Sequence, residues 1–289
     1  DNGIIIDADK FIYNKTSNIL NANGKVKVFD KINEYTIFSD DITYFKNEEK
    51  IFTKGNSKAL NQNTTIDAEI FEYEKTSNIL KANKNVRFND SNESIIIHAQ
   101  EIIYDKNKEI IFTDGKTKAK IQNKYNFNSK DVLLDRKIME LSSEEKTEIS
   151  DNNFNFYELD RFKYYKDKSL LKGQNVKITT NINIKEESDI LFFSNGFFDL
   201  KNNNFNAAKT KIKMHKNIFG NIKNDPRLIG VSSSKKNEIT QVKKGVFTSC
   251  KERDDKCPPW SMEALNIKHD DNKKQLIYEN ALLKIYDVP

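Results

Sequence analysis

The feature that most constrains the fold of this chain is an internal repeat of about thirty residues. The hexapeptide Lys-Thr-Ser-Asn-Ile-Leu occurs at residues 15–20 and again at residues 75–80. A column of tyrosines and a column of aliphatic residues share one irregular spacing of 31, 29 and 31 residues: Tyr13, Tyr44, Tyr73 and Tyr104, and Leu20, Ile51, Leu80 and Ile111. Two columns with the same irregular spacing indicate copies of a single structural unit.

Each copy of the repeat has the pattern of a β-hairpin. Phe11 and Tyr13 stand two positions apart, which places both side chains on one face of a strand, and a short polar turn follows at residues 14–18. A period of two residues is typical of half-buried strands and not of helices. The same pairs recur as Ile42 and Tyr44, Phe71 and Tyr73, and Ile102 and Tyr104, and the second strands alternate at Val26 and Val28 and at Val86 and Phe88.

Strands with one apolar face must bury that face against another layer. The economical arrangements are two facing sheets or one sheet folded into a V, and stacked repeats make the interior continuous. Gly24, Gly55, Gly115 and Gly173 recur along the hairpins, where a glycine marks a bulge or a bend. The repeat therefore predicts an all-β fold, an antiparallel meander closed over its own apolar face.

The apolar columns predict which side chains face the interior. In a closed sandwich these residues form an ordinary core, whereas in a sheet that splays at one edge they line a trough for acyl chains. The periodicity leaves both interpretations open. The candidate lipid-lining residues are Phe11, Tyr13, Leu20, Val26, Val28, Ile42, Tyr44, Ile51, Phe71, Tyr73, Leu80, Val86, Phe88, Ile102, Tyr104 and Ile111.

The first strand is a candidate partner edge. Ile4, Ile5 and Ile6 carry no lysine or proline nearby to protect a sheet edge. The strand either pairs internally, or with an upstream segment that was trimmed away, or it accepts a strand from another β protein.

Composition excludes several classes of protein. The 289 residues are 37% hydrophobic and 31% charged, which is too apolar for a disordered chain and too polar for a bundle of membrane helices. The net charge of +5 comes from alternating lysines and glutamates and not from basic blocks, so we expect no nucleic-acid partner. No secretory signal is present at Asp1, and the abrupt start is that of a processed or trimmed chain.

No motif for catalysis, metal binding or cofactor binding stands out. His98, His215 and His269 lie far apart and lack ligand spacing. A pairing of Ser249 or Cys250 with His269 lacks a nucleophile elbow, and no phosphate-binding or dinucleotide-binding fingerprint occurs. We therefore expect no enzymatic activity, no cofactor and no metal.

The C-terminal segment is the most specific part of the sequence. It contains Gly-Val-Phe-Thr-Ser-Cys at residues 245–250, Pro-Pro-Trp at 258–260, Ile-Lys-His-Asp at 267–270, Asn-Ala at 280–281 and Val-Pro at 288–289. This segment resembles the one that leads into the barrel of the LptD family, the lipopolysaccharide-assembly or organic solvent tolerance proteins of the outer membrane. The thirty-residue repeat resembles the OstA-type module of the soluble lipopolysaccharide-transport proteins.

The resemblance implies a fold, a location and a role. It implies a V-shaped antiparallel β-jelly roll (β-taco) of OstA type at residues 1–240, in the periplasm of a Gram-negative bacterium. Residues 241–289 would be the final strands and the junction to an outer-membrane β-barrel that is absent from this chain. The domain would accept lipopolysaccharide from an LptA-like jelly-roll bridge and guide its acyl chains towards the outer membrane and an LptE-like lipoprotein plug. The alternative is a structural or carbohydrate-binding β-solenoid without lipid cargo.

The two cysteines, Cys250 and Cys257, have no zinc-site spacing. In a periplasmic protein a local disulfide between them is the default. The resemblance instead implies that Cys250 corresponds to a cysteine that pairs with the barrel. Free thiols are the third alternative.

Overall fold

The structure is a computed structural model that describes residues 3–252 and 258–286. The chain forms two compact units, residues 1–143 and residues 144–289. In the described ranges the regular structure is β-strand, apart from two single-turn 3-10 helices, Lys166–Lys168 and Lys185–Glu187. Neither of these helices is long or apolar enough to cross a membrane.

The first unit is a meander in which the paired strands are antiparallel. Its strands are β1 Ile4–Asp7, β2 Lys10–Asn14, β3 Ile19–Asp30, β4 Tyr35–Phe45, β5 Lys50–Lys54, β6 Ser57–Asn61, β7 Thr64–Ala68, β8 Ile70–Glu74, β9 Ile79–Asp90, β10 Ile95–Asp105, β11 Ile110–Asp114, β12 Lys116–Ile121, β13 Tyr125–Lys130, β14 Leu133–Asp135 and β15 Glu140–Ser143.

The long strands of this unit bend in the middle, so that their two halves pair with different neighbours. Residues 36–38 of β4 pair with β6, and residues 41–45 pair with β5. One sheet thereby becomes two half-sheets. Half-sheet A contains β1, β6, β7, β12, β13 and residues 26–30, 35–39, 86–90 and 95–99; half-sheet B contains β2, β5, β8, β11, β14, β15 and residues 19–23, 41–45, 79–83 and 101–105.

The fold line between the half-sheets is marked by backbone in the left-handed region. These conformations interrupt the ladder and turn the strand, as β-bulges do. Three of the four glycines predicted to mark bends lie at the fold line with positive φ, so that prediction is confirmed for them. The positive-φ residues at the fold line are Gly24, Lys25, Gly55, Asn56, Lys84, Asn85, Gly115 and Asp131.

Side-chain hydrogen bonds tie neighbouring strands together at the fold line. Asn56 Nδ2 donates to Asp40 Oδ2 at 2.9 Å, and Asn85 Nδ2 donates to Glu69 Oε1 at 3.2 Å. In each pair the asparagine has positive φ, a conformation that asparagine tolerates better than most residues. The bend is therefore encoded twice, by backbone preference and by a side-chain bond.

The second unit repeats this construction. Its strands are β16 Thr147–Asp151, β17 Phe156–Leu159, β18 Arg161–Tyr165, β19 Leu170–Thr179, β20 Ile190–Asp199, β21 Asn204–Lys213, β22 Arg227–Lys236, β23 Ile239–Thr248, β24 Trp260–Asp270 and β25 Gln275–Ile285. Their bends carry positive-φ residues at Asn175, Lys209, Lys244 and Asn280.

The prediction of an all-β antiparallel jelly roll built from repeated hairpins is confirmed. In the charged stretch at residues 143–150, Ser143 ends β15, residues 144–146 form a short bend, and Thr147–Ser150 belong to β16. The domain boundary that the sequence places after residue 240 concerns a junction that the structure does not test, and it stays a prediction.

The fold line yields a test with a matched control. Gly55 (φ +85°) has Asp40 Oδ2 2.5 Å from the position of an added Cβ, whereas Gly115 (φ +74°) has no atom within 4 Å of that position. We expect Gly115→Ala to cost about 1 kcal/mol of unfolding free energy, the cost of left-handed backbone. Gly55→Ala should cost about 2–3 kcal/mol because steric displacement adds to the strain. Urea unfolding of both variants measures this, and equal losses would contradict the account.

Candidate functional site

The structure places the candidate lining residues on the inner faces of the two half-sheets. Thirteen of the sixteen are buried, Leu20 is partly exposed, and Phe11 and Tyr13 are each 47% exposed. Cross-strand pairing accounts for the shared face, since Phe11 lies opposite buried Ala22 and Tyr13 lies opposite Leu20. Whether these residues contact lipid stays a prediction.

The middle of this interior is a packed core. The rings of Tyr35 and Tyr73, from opposite half-sheets, are 5.5 Å apart between centroids, and those of Phe88 and Tyr104 are 6.5 Å apart. Phe71 and Ile102 have no measurable exposure. Of the two interpretations that the sequence left open, the structure supports core packing at these positions. An acyl chain can enter there only if the half-sheets move apart.

The interior becomes accessible at the first strand. In the described part of the chain, β2 pairs on one side only, with β3. Phe11 and Tyr13 therefore have no neighbour beyond them on the inner face, and this is why these two candidates are not buried. Ile12, which lies between them on the outer face, is 51% exposed. The apolar inner face thus reaches an open end of the unit.

The same end presents the predicted edge strand. β1 pairs with β3, with Ile5 opposite Phe29 and Ile6 opposite Val28, and no second partner strand lies among the described residues. Lys31 donates its backbone N–H to Gly3 O at 2.8 Å. In an antiparallel ladder every second residue points its N–H and C=O to the same neighbour, so those of Ile5 also point to β3. The N–H groups of Ile4 and Ile6 therefore point to the open side.

Opposite the fold line, the turns of the two half-sheets meet along what we call the seam. On half-sheet A the turns are residues 30–35, 61–64 and 90–95, and on half-sheet B they are residues 74–79, 105–110 and 135–140. Several polar contacts cross the seam. Tyr73 Oη donates to Asp30 Oδ2 at 3.1 Å, Lys106 Nζ donates to Asn33 O, and Arg136 Nη2 donates to Asp90 Oδ2 at 2.6 Å.

Arg136 is the most connected residue of the seam. It also donates to Thr64 Oγ1 at 3.3 Å, to Tyr104 Oη at 2.6 Å and to Glu109. Burial alone would lower the pKa of the Arg136 guanidinium, but its hydroxyl and carboxylate neighbours outweigh burial and raise that pKa. Burial raises the pKa of the Tyr104 hydroxyl well above its usual range. Both shifts favour the protonated forms of Arg136 and Tyr104.

Sequence reasoning missed the buried carboxylates of the seam. Asp30 and Asp90 are 1% and 2% exposed. The alternation along the strands predicts that residues shortly before Asp30 and Asp90 are buried. It does not predict a face for Asp30 and Asp90 themselves, because they stand where the strands end and the turns begin. A signal was present, since Asp30 and Asp90 stand sixty residues apart, the same distance as the two copies of the hexapeptide.

The interior of the second unit is closed by a loop. Its core cluster contains Leu228, Val242 and Ile267, and the loop at residues 214–226 adds Met214 and Ile218 to it. Phe219 of this loop contacts the rings of Phe247 and His269, with centroids 6.0 and 6.4 Å away. Trp260 packs against Phe247 at 6.0 Å, as a packing anchor would.

The histidines do not form a catalytic or metal site with one another. His269 is 6% exposed, and its Nδ1 lies 2.9 Å from Asp271 Oδ1. Lys235 Nζ lies 2.8 Å from Asp271 Oδ2. Burial alone would raise the pKa of Asp271, but hydrogen bonds from His269 and Lys235 outweigh it and hold that pKa below its usual range. The arrangement is that of a structural ion cluster.

The cysteine pairing stays a prediction. Cys250 is partly buried, and its Sγ lies 3.9 Å from Trp260 O. Cys257 lies outside the described residues, as does the Val-Pro pair at residues 288–289.

Comparison with known proteins finds a likeness among solved structures. No family model and no curated protein matches the chain. Among solved structures, the chain is similar to LptH of Pseudomonas aeruginosa, described as the LptA-homologous periplasmic component of the lipopolysaccharide transport device. The match has 16% identity and a TM-score of 0.35, and it covers 38% of this chain and 81% of LptH.

The Asp271 cluster gives a pH-dependent prediction. Because the pKa of Asp271 is lowered on folding, its stabilisation is complete above the unfolded pKa of about 4 and is lost as the pH falls through the folded value. We expect Asp271→Asn to lose about 1 kcal/mol at pH 7 and to converge on the wild type in acid. Denaturant unfolding at several pH values measures this. Asp270→Asn is the control, and an Asp271→Asn deficit that does not change with pH would contradict the assignment.

Proposed function

We propose that this chain is a periplasmic lipid-transfer domain that accepts lipopolysaccharide from a jelly-roll bridge and guides its acyl chains towards the outer membrane. The observation that carries the proposal is the open end of the first unit. There a continuous apolar inner face terminates in two half-exposed aromatic side chains, Phe11 and Tyr13. They lie beside strand edges that have no second partner strand within residues 3–252 and 258–286.

A bridge protein of the same fold fits this end. An added strand beside β1 and β2 would satisfy their free backbone groups and extend the sheet. The added strand's own inner face would then cover Phe11 and Tyr13. Sheet and interior would continue together from one jelly roll into the next, which is what the passage of a long lipid requires.

Transfer of acyl chains needs burial and no catalytic group. Each buried methylene contributes about 0.8 kcal/mol, so several similar apolar sites hold a chain without trapping it at one. The proposed domain is accordingly not an enzyme, and it needs no cofactor.

The sequence supports a narrower proposal, that the chain is the N-terminal domain of an LptD-type translocon. The support is the segment at residues 245–270, with its Phe-Thr-Ser-Cys, Pro-Pro-Trp and His-Asp elements. In this proposal the domain precedes an outer-membrane barrel and works with an LptE-like lipoprotein plug.

The second candidate is a structural or carbohydrate-binding β-solenoid without lipid cargo. The packed core around Phe71 and Ile102 favours it. This candidate predicts that no lipid reaches the inner face at any position.

Three neighbouring residues of β2 separate the two candidates. Phe11, Ile12 and Tyr13 are exposed to similar extents but face alternately inward and outward. With a photoreactive phenylalanine at each position, we expect lipopolysaccharide to be crosslinked from positions 11 and 13, with several-fold less from position 12. Equal yields at the three positions, or none, would rule out an apolar path along the inner face.

The strand edge is tested by proline. Ile6→Pro removes an N–H that points to the open side, so we expect it to abolish binding of an LptA-like jelly roll with a small loss of stability. Ile5→Pro removes an N–H that faces β3, so it serves as the contrast and should destabilise the first strand. Pull-down and thermal unfolding measure the two effects, and undiminished binding by Ile6→Pro would exclude strand addition at β1.

A further inference from the structure

The seam of the first unit is closed by polar groups at a point where the rest of the interior is apolar. Asp90 at the end of β9 is 2% exposed, and the Arg136 side chain is 18% exposed. Arg136 lies in the turn between β14 and β15, so the 2.6 Å contact with Asp90 joins the two half-sheets across the seam.

The network joins one guanidinium to acceptors on both sides. Asp90 and Thr64 belong to half-sheet A, and Tyr104 and Glu109 belong to half-sheet B. The backbone N–H of Arg136 also donates to Glu109 O at 2.9 Å. Arg136 is therefore fixed to its own half-sheet and reaches across to the other.

The small net free energy of a buried ion pair such as Arg136 and Asp90 favours a contact that can separate over a permanent one. A buried ion pair gains little net stability because desolvation of both charges offsets their attraction, whereas removal of one partner leaves a costly unpaired charge. Two buried polar atoms nearby, Arg136 Nε and Tyr35 Oη, have no hydrogen-bond partner in the described structure. The closed state of the seam thus retains unsatisfied groups that water would satisfy on opening.

The space beside the network is polar as well. A cavity of about 280 Å³ is lined from half-sheet A by residues such as Asn61, Asn63 and Asn92 and from half-sheet B by Lys106 and Met139. At this point a cavity with mainly amide and charged walls separates the two edges.

We propose that Arg136 and Asp90 form a latch that holds the seam of the first unit closed, and that separation of this pair opens the interior sideways. That an acyl chain uses the opening rests on the proposed function, whereas the latch itself does not.

The test measures the width of the seam. Spin labels at Asn92→Cys and Lys137→Cys, exposed turn positions on the two sides, report it by pulsed electron paramagnetic resonance in a chain with both native cysteines changed to serine. In Arg136→Gln we expect a population lengthened by about 3 Å or more, because a water between the separated groups adds one hydrogen-bond length. Arg136→Lys, which keeps the charge but not the fork, should open less.

Two controls separate opening from unfolding. Labels at Asn92→Cys and Asn123→Cys both lie on the edge of half-sheet A, so their distance should not change. Arg87→Gln removes an exposed cation that pairs with Asp67 at 3.8 Å within half-sheet A, and it should leave the seam unchanged. An unaltered Asn92–Lys137 distance in Arg136→Gln would overturn the latch, as would equal lengthening of both label pairs.

A photoreactive side chain at the position of buried Tyr73 tests whether lipid enters through the opened seam. If the latch admits lipid, lipopolysaccharide should label this position several-fold more in Arg136→Gln than in the parent chain. If the seam opens but lipopolysaccharide labels none of positions 11, 13 and 73, the latch is supported and the proposed transfer function is contradicted. If positions 11 and 13 are labelled but the width of the seam does not change in Arg136→Gln, the transfer function is supported and the latch is contradicted.

Discussion

The fold depends on left-handed backbone placed at regular intervals along otherwise ordinary strands. A meander of strands of eleven or twelve residues would form a flat sheet with an exposed apolar face. A left-handed residue or pair lies at the fold line in about every second pass of the chain and bends the strand there. Hydrogen bonds such as the one from Asn56 to Asp40 fix the angle between neighbouring strands. The bend brings the two halves of one apolar face together. The core, the seam and the open end all follow from that geometry.

Much of this could be predicted because it depends on local periodicity. The tyrosine and aliphatic columns correctly predicted the strands and their inner faces, and Gly24 and Gly55 correctly predicted bends. The asparagines were harder to interpret, since composition alone did not give them a structural role. Ten of the 26 non-glycine residues with positive φ in the described ranges are asparagine, so their abundance reflects the number of turns and bends.

The parts that sequence did not predict are those that depend on distant residues. The contact between Arg136 and Asp90 spans 46 residues and two half-sheets, and neither residue belongs to an apolar column. The pairing of His269 with Asp271 rather than Asp270 depends on how one turn closes. Alternation predicts which face a side chain occupies, but it does not show whether the opposite face lies in contact or apart. For this reason the packing of Tyr35 against Tyr73, which lie on opposite half-sheets, could not be predicted from the sequence.

A packed interior and a role in lipid passage are compatible if the two halves of the sheet can part. The closed state buries inner-face aromatic side chains against one another, Tyr35 against Tyr73 and Phe88 against Tyr104, which gives the empty domain a stable structure. At the seam, the closure includes the ion pair of Arg136 and Asp90, and the net contribution of such a pair to stability is small. A domain of the proposed kind would close when empty and open at a defined line, whereas a permanently open trough would expose a long apolar surface to water.

The central claim is that acyl chains lie along the inner face, and isoleucine methyl groups of the first strand test it most directly. Intermolecular nuclear Overhauser effects between the acyl methylenes of a short-sugar lipopolysaccharide and labelled isoleucine methyls would show which face the lipid touches. The account predicts contacts to Ile4 and Ile6, which face inward, and none to Ile5 and Ile12, which face outward. Contacts to Ile5 and Ile12, or to no isoleucine of this end, would contradict it.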